Sequence, residues 1–175
     1  MKKISISLLA IALCGTTLHA TSPVTSPAPI DALKPMAFLA DSCWKGTFPD
    51  GKKTDEHCFT WVYGGKNLRD NHTVRAEGKP DYMGESVYYF DAATRKVNYL
   101  YFENSGGYMQ GSAELEPDKF VFPETQYVSA AFTMRIRAKW TRIDANTYEV
   151  DNETPDKIGK WVSYSKMKFV KQVKP

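Results

Sequence analysis

This sequence is sparing with the residue types that cross-link a chain, hold a metal or pass a proton. It has three cysteines, Cys14, Cys43 and Cys58, and three histidines, His19, His57 and His72. Cys14 and His19 fall in a leader-like segment, which leaves Cys43, Cys58, His57 and His72 to carry chemistry. Two cysteines in an oxidising compartment are most simply one disulfide, Cys43–Cys58. The two histidines are open to three readings: structural hydrogen-bonded residues, ligands of a metal ion or of haem iron, or an acid–base pair. A closed structural metal site needs more ligands than the sequence offers at any familiar spacing, so His57 and His72 stand only as weak metal candidates. Glu85, set among aromatic residues, becomes a second acid–base candidate if its strand turns it inward, where burial would raise its pKa. Gly-x-Ser-x-Gly, His-Glu-x-x-His and phosphate-cradling glycine loops are all absent, and no catalytic residue is assigned.

The elements that position these residues are strands. After a short helix candidate at Ile30–Ala40, interrupted by Pro35, runs rich in aromatic and β-branched residues recur at regular spacing with turn signals between them. They lie near 43–48, 57–63, 68–76, 83–90, 97–102, 108–115, 119–122, 132–141, 148–152 and 160–170. Sequential strands this close imply hairpins, and closure of the meander removes exposed edges. The expected fold is all-β: a closed antiparallel meander barrel of about eight to ten strands with a short N-terminal helix.

The first two hairpins can be placed in register. Pro49-Asp50-Gly51-Lys52 lies midway between the cysteines, so a four-residue loop sets Cys43 opposite Cys58 and Trp44 opposite His57. Alternation then puts Cys43, Lys45 and Thr47 on one face and Trp44, His57, Phe59 and Trp61 on the other, which is the apolar and therefore buried one. A two-residue Gly64-Gly65 turn pairs Trp61 with Leu68, Phe59 with Asp70 and His57 with His72, whereas a bulge at the glycines would flip the face. Closing the Asp91–Lys96 hairpin brings Tyr88, Tyr99 and Tyr101 to one face. Phe132, Met134, Ile136 and Trp140 alternate with polar residues, and Trp161 and Phe169 share a face with Ser163, Ser165 and Met167. Small polar residues on an inner face leave room for a ligand or water, although a fully packed aromatic core is an equally open reading.

The N-terminus predicts the compartment. Lys2 and Lys3 precede an apolar run from Ile4 to Leu13, followed by small residues up to Ala20, which reads as a signal peptide over residues 1–20. The run is too short to span a bilayer. Leu13 is too large for the position before a lipid-modified cysteine at Cys14. Residues 21–29, TSPVTSPAP, read as a Pro-rich tether, and residues 30–175 as a single barrel domain. Removing Lys2 and Lys3 leaves 21 basic against 20 acidic residues, a balance that points away from nucleic acid as a partner. The expected location is periplasmic or secreted.

The residues also resemble a family. FLADSCWKGTF, 38–48, resembles the Gly-x-Trp motif with which calycin or lipocalin-like barrels open, with Ser42 at the glycine position. WVYGGKNLRDN, 61–71, and GESVYYFDAATRKVNYLYFENSGG, 84–107, are similar to bacterial domains of unknown function related to nitrobindin-like barrels. The resemblance implies a closed barrel with an internal cavity for small hydrophobic ligands or haem. The late histidine that holds iron in nitrobindins has no counterpart after His72, so haem could be held only by His57 or His72 from the other side.

Taken together, the sequence predicts an exported barrel that binds a small apolar molecule, lined by Trp44, His57, Phe59, Trp61, Tyr99, Tyr101, Trp140 and Trp161. Two alternatives stay open: an enzyme using the same cavity with His57 or Glu85 as its acid–base group, and an envelope interaction protein with a solid core.

Overall fold

A computed structural model of the chain describes residues 30–173. The signal peptide and tether expected at residues 1–29 lie outside the described residues. Within them, ten antiparallel strands close into one barrel: β1 (Ser42–Thr47), β2 (Lys53–Val62), β3 (Asn67–Ala76), β4 (Tyr82–Asp91), β5 (Lys96–Glu103), β6 (Tyr108–Leu115), β7 (Lys119–Val128), β8 (Thr133–Arg142), β9 (Thr147–Pro155) and β10 (Trp161–Lys171). Each strand pairs with its neighbours in sequence, and β1 meets β10 to close the ring. The expected all-β meander barrel is thus present. No helix among the described residues is long and apolar enough to cross a membrane.

The Cys43–Cys58 disulfide is formed, and the first hairpin pairs Trp44 with His57 around a loop closed from Phe48 N–H to Lys53 O, 2.9 Å. Its closed loop is short, so the chain-entropy account gives a stabilisation of about 3 kcal/mol. Chemical denaturation with and without reductant is expected to differ by that amount, with the reduced barrel still folded at room temperature.

The second hairpin has the expected register, Trp61↔Leu68, Phe59↔Asp70 and His57↔His72, but not the expected turn. Its loop holds four residues, 63–66, because Tyr63 (φ 52°), Gly64 (φ 69°) and Gly65 (φ 80°) all take left-handed backbone. Lengthening the loop symmetrically about the same centre leaves every pairing unchanged. β7 differs more. The strand expected to stop at Phe122 continues past Pro123 to Val128, with the β7–β8 register breaking between Phe122 and Thr125. A proline has no N–H for the ladder, and an irregular step is where a strand tolerates one.

The N-terminal helix is 3₁₀, Asp31–Phe38, which accommodates Pro35 within so short an element. It plugs one end of the barrel with the fully buried Leu33, Met36 and Leu39. The chain enters β1 with Trp44 donating from Nε1 to Leu39 O at 3.0 Å, and Ile30 N–H bonds Gly65 O at 3.2 Å. Phe38, Trp44, Phe120 and Tyr148 meet there at ring distances of 5.2–6.4 Å. This end is solid. The opposite end, ringed by the β1–β2, β3–β4, β5–β6, β7–β8 and β9–β10 loops, is open.

Candidate functional site

A cavity of about 620 Å³ occupies the open half of the barrel. Its walls are mainly apolar, with Tyr99, Met109, Phe122, Met134 and Trp140 among the lining side chains. Of the residues expected to line it, His57, Tyr99, Tyr101 and Trp140 do so. Trp44, Phe59 and Trp61 point inward but are buried in the packed half, below the cavity. Trp161 is a correction. The β9–β10 register shifts between Ser163 and Ser165, so residues before that step exchange faces with those after it. Met167 and Phe169 stay inside, whereas Trp161 lies outside the cavity under the guanidiniums of Arg137 and Arg135, 4.5 and 5.4 Å from its ring. Glu85 is also placed: it is exposed, between Asn71 and Phe102 on the outer face.

At the floor of the cavity the two histidines stand side by side, as the His57↔His72 pairing requires, with ring centroids 5.0 Å apart and planes 18° from parallel. Each is held at both nitrogens. His57 Nδ1 lies 2.7 Å from Asp70 Oδ2, and its Nε2 lies 3.2 Å from Asp55 Oδ2. His72 Nδ1 lies 3.2 Å from Asp55 Oδ1, and its Nε2 lies 3.0 Å from the Tyr101 hydroxyl, which in turn meets the Tyr82 hydroxyl at 2.7 Å. A single connected path therefore runs from Asp70 through His57, Asp55, His72 and Tyr101 to Tyr82. It begins at a carboxylate only 2% exposed and ends at a partly exposed phenol near the mouth.

The charges on this path follow from its geometry. Burial disfavours an imidazolium at His57, but the Asp70 and Asp55 carboxylates outweigh it and push the pKa from 6.5 up to about 10. Burial likewise opposes the charge on Asp55, and the hydrogen bonds from His57 and His72 overcome that and hold its carboxyl well below the usual 3.8. With Asp55 ionised, His72 donates to it from Nδ1, and its Nε2 meets the Tyr101 hydroxyl. Burial, reinforced by the Tyr82 hydroxyl, holds the Tyr101 phenol protonated far above its ordinary range, and burial moves Tyr82 to about 12. Asp70 Oδ1 and Ser165 Oγ, both on cavity-lining residues, are buried without a hydrogen-bond partner among the described residues.

Backbone shape keeps the path intact. Gly84 on β4 faces His72, and a Cβ there would stand 2.5 Å from His72 Nε2 and 2.7 Å from the Tyr101 hydroxyl. Only glycine leaves room for that hydrogen bond. At the rim, Glu103 accepts from the Ser105 backbone at 2.6 Å, from Gly107 N–H and from the Tyr127 hydroxyl, which fixes the β5–β6 loop over the opening.

Haem does not fit this arrangement. An axial histidine must project a free nitrogen toward the porphyrin face, and all four ring nitrogens are turned onto carboxylates or a phenol instead. A bare ion is different, because Asp55, His57 and His72 bring three potential ligand atoms within 4.8 Å of one another.

Sequence reasoning placed Trp44, His57 and His72 in one row, with Asp70 two residues along opposite Phe59, as observed. It missed Asp55, since β2 was expected to start at His57 and the polar run Lys53-Thr54-Asp55-Glu56 resembles a turn. Parity was the available signal: Asp55 is two residues before His57 and must share its face. Tyr82 was missed for the same reason, one residue before the expected start of β4.

No family model matches this chain, and no curated protein does. The closed ten-strand antiparallel barrel is consistent with a calycin-like fold.

Proposed function

We propose that this is a calycin-like binding protein acting outside the cytoplasm, which holds a small, largely apolar molecule in the open half of its barrel. The observation that carries the reading is the cavity: about 620 Å³, with walls of aromatic and aliphatic side chains and a few polar groups gathered on its floor. That volume and that division of labour are those of small-molecule sites, where apolar walls supply affinity and a few polar atoms fix orientation. Asp70 Oδ1 and Ser165 Oγ offer the ligand an acceptor and a hydroxyl, so the favoured ligand carries a hydrogen-bond donor at one end of an aromatic or aliphatic body. The disulfide supports an oxidising compartment such as the periplasm or the exterior.

N-phenyl-1-naphthylamine is expected to bind with micromolar affinity and to brighten on entering the cavity. Met134→Trp fills part of that space from the barrel wall and is expected to weaken the probe at least tenfold while the far-ultraviolet spectrum is retained. Equal binding by both proteins would place the probe elsewhere and remove the reading.

Glu85, exposed on the outer face, takes no part in the cavity.

A further inference from the structure

The floor cluster has the composition and the layout of a metal centre. We propose that Asp55, His57 and His72 bind one divalent first-row transition ion through a carboxylate oxygen, His57 Nε2 and His72 Nδ1, the ion replacing the protons that these two nitrogens give to Asp55 in its absence and releasing them to solvent. This goes beyond the proposed ligand binding and stands independently of it.

Three features of the geometry carry the proposal. The first is spacing. Bonds of about 2 Å to nitrogen and oxygen put neighbouring ligands of a tetrahedral ion about 3.3 Å apart. The carboxylate of Asp55 already lies 3.2 Å from His57 Nε2 and 3.2 Å from His72 Nδ1. The three ligand atoms fall within 4.8 Å of one another, so small side-chain rotations suffice to close around an ion.

The second is the set of partners behind the ligands. Metal-bound histidines characteristically give their remaining N–H to a carboxylate or another acceptor, which fixes the tautomer and aims the ring. Here the far nitrogen of His57 meets Asp70 at 2.7 Å and the far nitrogen of His72 meets the Tyr101 hydroxyl at 3.0 Å. Both rings thus present one nitrogen to Asp55 and anchor the other.

The third is charge. Asp55 and Asp70 are buried, and among the described residues neither pairs with a lysine or arginine; histidines are their ionic partners. A divalent ion supplies the two positive charges that two carboxylates call for. Two imidazoles and a carboxylate are the donor set of zinc, iron(II), cobalt(II) or manganese(II) rather than of calcium or magnesium. Three protein ligands leave further positions open, and the cavity lies directly beside all three residues.

The test uses the chelator-stripped protein and cobalt(II) chloride alone, read by visible d–d absorption, with zinc chloride followed by calorimetry. One ion per chain is expected for each metal. His72→Phe keeps a flat ring beside His57 and is expected to weaken binding at least 100-fold. Asp70→Asn leaves all three ligands in place and is expected to weaken it about 10- to 100-fold. Glu85→Gln, on the outer face, should bind as the parent does. Absence of the cobalt spectrum, or a spectrum unchanged in both His72→Phe and Asp70→Asn, overturns the site. Naphthylamine binding is measured on the same samples: metal uptake without probe uptake keeps this inference and defeats ligand binding, and the converse result does the reverse.

Discussion

Replacing His57 by leucine is expected to cost about 3–5 kcal/mol of folding stability. Among the described residues His57 alone hydrogen-bonds both Asp70, at 2.7 Å, and Asp55, at 3.2 Å. Removing it leaves two acids in the barrel interior with one imidazole, His72, on Asp55 alone. An unpaired buried charge is far more costly than the net value of the pair it belonged to, so the loss reflects stranded carboxylates rather than missing ring contacts. The double variant His57→Leu/Asp70→Asn tests that cause. It removes the cation together with its closest acid and is expected to recover most of the loss, giving a large coupling in a double-mutant cycle measured by urea denaturation. A single-variant loss under about 1 kcal/mol would show that the two carboxylates do not depend on His57.

The second large effect is on pH, read with a chelator present so that protons alone are varied. The folded state holds the His57 proton up to about pH 10, whereas the unfolded chain releases it near 6.5. Below 6.5 both states are charged and the full stabilisation is present. Between 6.5 and about 10 the folded protein carries a proton that the unfolded chain lacks, so stability falls by roughly 1.4 kcal/mol per pH unit, on the order of 5 kcal/mol in all. Tyr82 and Tyr99, both pushed by burial to about 12, add to the decline above pH 10, where an unfolded tyrosine ionises and a folded one does not. At the acid end the sign is reversed: Asp55, held below its ordinary value, contributes above about pH 3.8 and loses that contribution as pH falls further. Stability should therefore be greatest between about pH 4 and 6.5. In His57→Leu the fall between 6.5 and 10 should disappear, and a wild-type stability that is level across that range would contradict the charge assignment.

The lower half of the barrel was legible in the sequence, for definite reasons. The cysteines are symmetric about Pro49–Lys52, and Gly64-Gly65 is symmetric about the next turn, so parity alone brought Trp44, His57 and His72 into one inward row. Symmetry also explains why the mistaken length of the second loop did no harm. The upper half was less legible because its strands are irregular. The steps at Phe122–Thr125 and Ser163–Ser165 change the face of everything beyond them, and the residue count alone does not reveal a step. Trp161 was misplaced on that account. Asp55 escaped notice because its strand was expected to begin at His57, although the facing strand was expected to run on to Ala76 and so past the position opposite Asp55, Val74. Whether the interior is hollow depended on how far the 3₁₀ helix and Trp44 fill the barrel, which is a property of packing in three dimensions.

The seam between β1 and β10 has a bearing on how the barrel assembles. Every other strand pair joins neighbours across a short loop, whereas this one joins Trp44 to Lys171, Lys45 to Val170 and Gly46 to Phe169, from opposite ends of the domain. Gly46 lets the strands come close, since a Cβ there would stand 3.0 Å from the Lys168 carbonyl. Local hairpins form quickly and long-range closure slowly, so the seam is expected to close late in folding and to be the first ribbon to fray. The disulfide fixes β1 to β2, so fraying separates β10 from β1 and leaves the other hairpins whole. Phe169, on the β10 side, packs edge-on against His57 at 5.0 Å. Opening the seam therefore uncovers the carboxylate–histidine cluster, and wetting of that cluster and breathing of the barrel are a single motion.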